Sequence, residues 1–91
     1  MRKVSQDILD KAISKLGKHA QLLMVLEEMS ELQKEILKNI NRGKDNIDDI
    51  IDETADVEIM LDQMKYIYGI DEAVAKRIPL KLEKVKARLE D

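Results

Sequence analysis

The chain has no cysteine, tryptophan or phenylalanine, and only one proline and three glycines in 91 residues. Without cysteine there is no disulfide to compensate for a small core, and a thiolate zinc site is excluded. Tyr66 and Tyr68 are the only aromatics. The apolar side chains are therefore Ile, Leu, Val, Met and Ala, a set that suits packed helices better than sheets. No window approaches the roughly 20 apolar residues of a membrane span, and Met1 to Asp7 lacks the apolar stretch of a secretory signal. The expected location is the cytoplasm, with no membrane partner. A net charge of −3 argues against general nucleic-acid binding, which requires a basic face.

The length fits one domain over residues 1–91. A chain this short buries only about 60–65% of the surface its unfolded form exposes. Self-association is an economical way to bury more, so a homodimer or homotetramer is expected.

Four segments carry helical periodicity. Ser5 can cap the first, whose Ile8, Leu9, Ala12, Ile13 and Leu16 recur at helical spacing before Gly17. The second runs from about His19 to Ile40, with Leu22, Leu26, Met29, Ile36 and Ile40 along one stripe. After the loop 41–46, Asn46 reads as a cap with Asp49 as its first-turn acid. The third helix spans Ile47 to about Tyr68, with Ile50, Val57, Leu61, Met64 and Tyr68 inward. Gly69 closes it and Asp71 can cap a fourth, in which Val74, Ile78, Leu82, Val85 and Leu89 keep one stripe. Pro79 predicts a kink or restart there, because it removes a backbone donor and clashes with the preceding turn. The expected fold is all-α: a bundle-like arrangement of four antiparallel helices with short loops.

Charge is segregated along the chain. From Asp45 to Asp62 there are eight acids (Asp45, Asp48, Asp49, Asp52, Glu53, Asp56, Glu58, Asp62) and no base. From Lys76 to Arg88 there are six bases (Lys76, Arg77, Lys81, Lys84, Lys86, Arg88) against Glu83 alone. Neutralisation between neighbouring helices, with solvation, accounts for most of these residues. On a wheel of about 100° per residue, however, Glu53 falls among Ile50, Val57, Met60, Leu61 and Met64, with Asp56 beside it. Glu28 lies between Val25 and Leu32 at the edge of the second helix's apolar face, and Glu31 follows it by one turn. Each of two consecutive long helices thus offers a carboxylate pair at i, i+3 bordering an apolar stripe. Ionised carboxylates are costly to bury and repel one another, and a hard cation bound by oxygen ligands, Mg²⁺ or Mn²⁺, relieves both costs. The plainer readings are a solvated face and, for Glu53, a salt bridge to a lysine of the fourth helix.

Other sites fail on their residues. The stretch 41–52 has Asn46 where an EF-hand loop requires Gly. The only histidine, His19, has no Glu three residues before it for a di-iron pair, and Gly43-Lys44 lacks the rest of a phosphate-binding loop.

Glu27-Glu28-Met29-Ser30-Glu31-Leu32 followed by Glu53-Thr54-Ala55-Asp56-Val57 resembles the E-E-x-x-E-L … E-x-x-D-V signature of MazG-like pyrophosphohydrolases, an all-α superfamily. Gln21 and the stretch from Lys81 to Arg88 resemble short, often phage-associated members, so the likeness runs from about Gly17 to Arg88. Val85 departs from the better-known type, which often carries an Asn in the Lys-rich stretch of the last helix. The resemblance implies a four-helix protein that assembles as a dimer or pair of dimers. It implies Mg²⁺ held by Glu28, Glu31, Glu53 and Asp56, and cleavage of a nucleoside triphosphate between its α- and β-phosphates. In that chemistry Glu31 is the candidate to take a proton from water, with Glu27 or Glu28 as alternatives. Lys81, Lys84 and Arg88 would hold the outer phosphates, or else be surface charge. Gln21 would reach a base edge or simply order the second helix. The competing reading is a non-enzymatic helical interaction module, oligomerising through its Leu, Ile and Met stripes, with Val74 to Leu89 as a coiled-coil-like seam.

Overall fold

The computed structural model describes residues 6–90. They form four helices and no strand: α1 (Gln6–Leu16), α2 (Lys18–Arg42), α3 (Ile47–Tyr68) and α4 (Asp71–Leu89). The breaks fall at the glycines. Gly43 and Gly69 adopt left-handed conformations, with φ of 61° and 66°, where any other residue would be strained. Backbone N–H groups at each break bond back to the last turn of the helix it ends: Lys44 N–H to Lys38 O, Gly69 N–H to Tyr66 O and Ile70 N–H to Lys65 O. The expected cap at Ser5 lies outside the described residues.

Two other expected caps are used differently. Asn46 stands at the N-cap position of α3, but its side chain makes no capping bond. Its Nδ2 instead donates across the loop to the Glu35 carbonyl at 2.8 Å and to Glu35 Oε1 at 2.9 Å. Asp71 is the first residue inside α4 rather than its cap, which is Ile70; its carboxylate lies 3.5 Å from Lys65 Nζ. Pro79 sits inside α4 and the helix does not restart there.

The helices pack against their chain neighbours, and most of the contact lies between α2 and α3. These two form an antiparallel hairpin; α1 lies against α2, and α4 touches α3 near the Gly69 turn. The Cα radius of gyration is 15.9 Å, against about 12 Å for a compact chain of this length. The excess has a visible source: from Ala75 onward every described residue of α4 is exposed.

Burial follows a different pattern from the one the apolar stripes predict. Among the described residues only Leu9, Val25 and Met60 are buried apolar ones, whereas Gln21, Asn46, Asp62 and Gln63 are buried polar ones. On α2 the line facing α3 contains Gln21, Val25, Glu28, Leu32 and Glu35, all buried or half-buried. The predicted stripe lies beside that line, so Leu26, Met29, Ile36 and Ile40 are exposed. On α3, Ile50, Val57, Leu61 and Met64 are half-buried, but Tyr68 is exposed. Ile78, Leu82, Val85 and Leu89 of α4 are all exposed, because no other described helix packs on that face.

A carboxylate cluster in the helical hairpin

The antiparallel pairing of α2 and α3 brings Glu28, Glu53 and Asp56 together. One carboxylate oxygen from each lies within 4.8 Å of the others. Glu28 and Glu53 are half-buried and Asp56 is exposed, so the cluster sits at the rim of the seam. Glu53 and Asp56 reach the same place because they are one helical turn apart. Glu28 reaches it from α2 because its position faces α3.

The electrostatics are those of acids crowded at a partly dry surface. Burial pushes the Glu28 carboxyl above its ordinary range, and the neighbouring Asp56 adds to this by charge and by a hydrogen bond between the two carboxyls. The charges of Glu53 and Glu27 act in the same direction. Glu53 is likewise raised, first by burial and then by the charges of Asp56, Glu31, Glu35 and Asp52. Its Oε2 is buried without a hydrogen-bond partner among the described residues. Such an atom retains its full desolvation cost until a proton or a cation reaches it. Three carboxylates with an orphaned oxygen among them match the hard, anionic donor set that Mg²⁺ or Mn²⁺ takes.

Glu31 lies outside this group. It is exposed, with Lys34 Nζ 3.8 Å from its carboxylate, but close enough to Glu53 to act on its ionisation. Gln21 is buried to 3% exposure, and its Oε1 accepts a 2.8 Å hydrogen bond from Gln63 Nε2. Lys81, Lys84 and Arg88 are exposed on the free part of α4, and no salt bridge among the described residues joins them to the acids. The bases of α4 therefore do not neutralise the acids of α3 within one chain. Among the described residues Glu53 has no lysine partner of the kind a plain salt bridge would supply.

Three residues beside the cluster escape a reading for motifs: Glu35, Asn46 and Gln63. Glu35 is held below the ordinary carboxylate range by hydrogen bonds from Asn46 and Lys38, so it stays ionised next to Glu53. The available signal was spacing, since Glu35 follows Glu28, and Gln63 follows Asp56, by seven residues. Next to the cluster an open apolar groove runs along Leu26, Met29, Leu32, Ile36 and Val57, with Ser30 at its edge. No helix among the described residues is long and apolar enough to cross a membrane.

No family model, curated protein or solved structure matches this chain.

Proposed function

We propose that the chain is a magnesium-dependent enzyme that hydrolyses nucleoside triphosphates between the α- and β-phosphates, releasing monophosphate and pyrophosphate. The observation that carries this reading is the convergence of Glu28, Glu53 and Asp56 from two helices, with a partnerless buried Oε2 on Glu53. The order of the acids along the chain, Glu28 and Glu31 and then Glu53 and Asp56, adds the resemblance to MazG-like enzymes.

Glu28, Glu53 and Asp56 would hold Mg²⁺, with Mn²⁺ as a substitute. When bound, the cation offsets the charge of the triphosphate and favours ionisation of an attacking water. Glu31, exposed at the rim and outside the group of three, is the candidate to accept that water's proton, and as a fourth ligand it would have to turn inward. Lys81, Lys84 and Arg88 would grip the outer phosphates once α4, of this chain or of a second copy, lies against the hairpin. A homodimer or homotetramer is the assembly we favour, because the described residues include nineteen large apolar side chains exposed and only three buried. The substrate class places the enzyme in the cytoplasm, with neither nucleic acid nor membrane as partner.

Calorimetric titration with Mg²⁺, beside chromatography of the products from a panel of ribo- and deoxyribonucleoside triphosphates, tests the proposal. Expected are cation binding that is lost in Glu53→Gln, and monophosphate and pyrophosphate in equal amounts with no diphosphate. Diphosphate with inorganic phosphate would mean that a different bond is cut, and full turnover by Glu53→Gln would remove the cation site from the mechanism.

The exposed apolar faces of α2 and α4 favour a second reading, a helical interaction module without catalysis. It requires no converging carboxylates, so self-association without Mg²⁺ binding would favour it.

A further inference from the structure

The seam between α2 and α3 is polar in layers, spaced by seven residues along α2 and by seven and then ten from Gln63 back to the N-cap of α3. Gln21 of α2 meets Gln63 of α3 through a buried 2.8 Å hydrogen bond. Seven residues on along α2 and seven back along α3, Glu28 meets Asp56. Seven residues further on α2, Glu35 meets Asn46, which stands seven residues before Glu53. The carboxylate cluster is therefore bracketed, one heptad away on each side, by an uncharged side chain committed to a specific partner across the seam. Gln63 is fully buried, and Gln21 and Asn46 are each 3% exposed.

We infer that the Gln21–Gln63 and Glu35–Asn46 pairs are positioning residues that fix the register of α2 against α3 and so hold Glu28, Glu53 and Asp56 together. Leu, Val and Met tolerate sliding, since one aliphatic contact replaces another at little cost. A hydrogen-bonded pair of carboxamides does not, because a slip of one turn strips both of their partners while they stay dry. Register control is the best-attested use of a polar residue at a buried helix–helix position. The Gln pair is also poorly used as a stabiliser. Gln63 Oε1 has no partner among the described residues, and Gln21 Nε2 has only the Met24 sulfur at 3.5 Å. A leucine pair would fill the same space without those unsatisfied groups. Asn46 is better served: besides its two bonds to Glu35, its Oδ1 accepts from Asn39 Nδ2 at 3.3 Å, which anchors the loop end of the hairpin.

The register part of this inference stands on the fold alone, and its consequence for cation binding rests on the function proposed above. The chain has no cysteine, so Ser30→Cys on α2 and Ala55→Cys on α3, both exposed, give a unique pair for spin labels. Distances are read by pulsed electron resonance in chelator, with labelled chain diluted in unlabelled chain so that only one chain is measured. The parent is expected to show one narrow distance. Gln21→Leu/Gln63→Leu is expected to add a second, longer-distance population, from helices offset by about 5 Å, one helical turn, or about 10 Å, one heptad, at unchanged helical content. Glu35→Leu/Asn46→Leu, from the other side of the cluster, should do the same. Mg²⁺ titration of the Gln variant should show affinity lower by about 10-fold or more, as for groups that orient a ligand without touching the ion.

A single narrow distance in both double variants, equal to the parent's, overturns the inference. Loss of helical content in either also overturns it, because the pair would then support folding rather than register. A parent that binds no Mg²⁺ while the variants still gain the displaced population removes the proposed function and leaves the register inference standing.

Discussion

The hairpin of α2 and α3 and the fourth helix treat the same kinds of side chain in opposite ways. In the hairpin the polar groups are inside: Gln21, Gln63 and Asn46 are buried, and Glu28 and Glu53 are half-buried. Leu23, Leu26, Ile36, Leu37 and Ile40 of α2 lie beside the seam and are exposed. In α4 nothing is buried, and Ile78, Leu82, Val85 and Leu89 of its apolar ladder are exposed. The hairpin has given its best-shielded positions to groups that contribute little to stability, while α4 offers apolar area and receives no cover. The difference is one of role: the hairpin holds polar side chains in specific contacts, and the outer faces carry apolar area that no described residue covers.

The largest expected effects test the hairpin's half of that comparison. Glu28→Gln, Glu53→Gln and Asp56→Asn should each lower Mg²⁺-dependent turnover by more than about 100-fold, beyond what loss of an orienting neighbour costs, with circular dichroism unchanged. Glu31→Gln should lower kcat by about 100-fold or more while leaving Mg²⁺ affinity nearly intact, if it is the proton acceptor and not a ligand. A collapse of Mg²⁺ affinity in Glu31→Gln would instead make it a ligand.

Breaking the other half should leave the hairpin alone. Leu82→Asp with Val85→Asp is expected to shift sedimentation toward the monomer. Mg²⁺ affinity should stay within about twofold, as for changes at separate sites. Association that survives these changes would clear the α4 ladder of any role in assembly. Ala at Lys81, Lys84 and Arg88 together should raise KM more than it lowers kcat, if these bases hold ground state and transition state alike.

Smaller effects test the joint and the charge balance. Gly69→Ala places a side chain at φ 66° with nothing within 4 Å of the new Cβ, so its cost is backbone strain alone, about 1 kcal/mol. Thermal melting should show that loss without any change in Mg²⁺ binding. Glu53→Gln should have the opposite sign in chelator, raising the melting temperature by a few degrees through relief of repulsion. The pH dependence follows from the same groups. Glu28 and Glu53 are raised above their ordinary value of 4.5, so the folded chain binds more protons than the unfolded chain just above that pH. Without metal, stability should therefore rise as pH falls from neutrality through their raised values toward 4.5. Glu35 is lowered, so its contribution is present above 4.5 and is lost as pH falls below it. Calorimetric melting across pH should show a maximum between these regimes in chelator, and a flatter profile in saturating Mg²⁺.

The sequence by itself determined the local structure and the inventory of chemistry. Gly17, Gly43 and Gly69 end helices because they tolerate conformations that side chains resist, and that preference needs no neighbour to act. The two acid pairs were legible for the same reason: spacing of three along a helix places them on adjacent turns wherever the helix lies. Tertiary structure alone decided which acids meet. Glu28 stands on the same line as Gln21 and Glu35, at intervals of seven, because seven residues nearly complete two helical turns. Glu31 lies about 60° around the helix from Glu28, at about 100° per residue, and so misses the line along which α3 lies. The apolar stripes misled in the same way. Periodicity measures the width of a face but does not say which neighbour covers it, and in this chain the seam ran along the polar edge of that face.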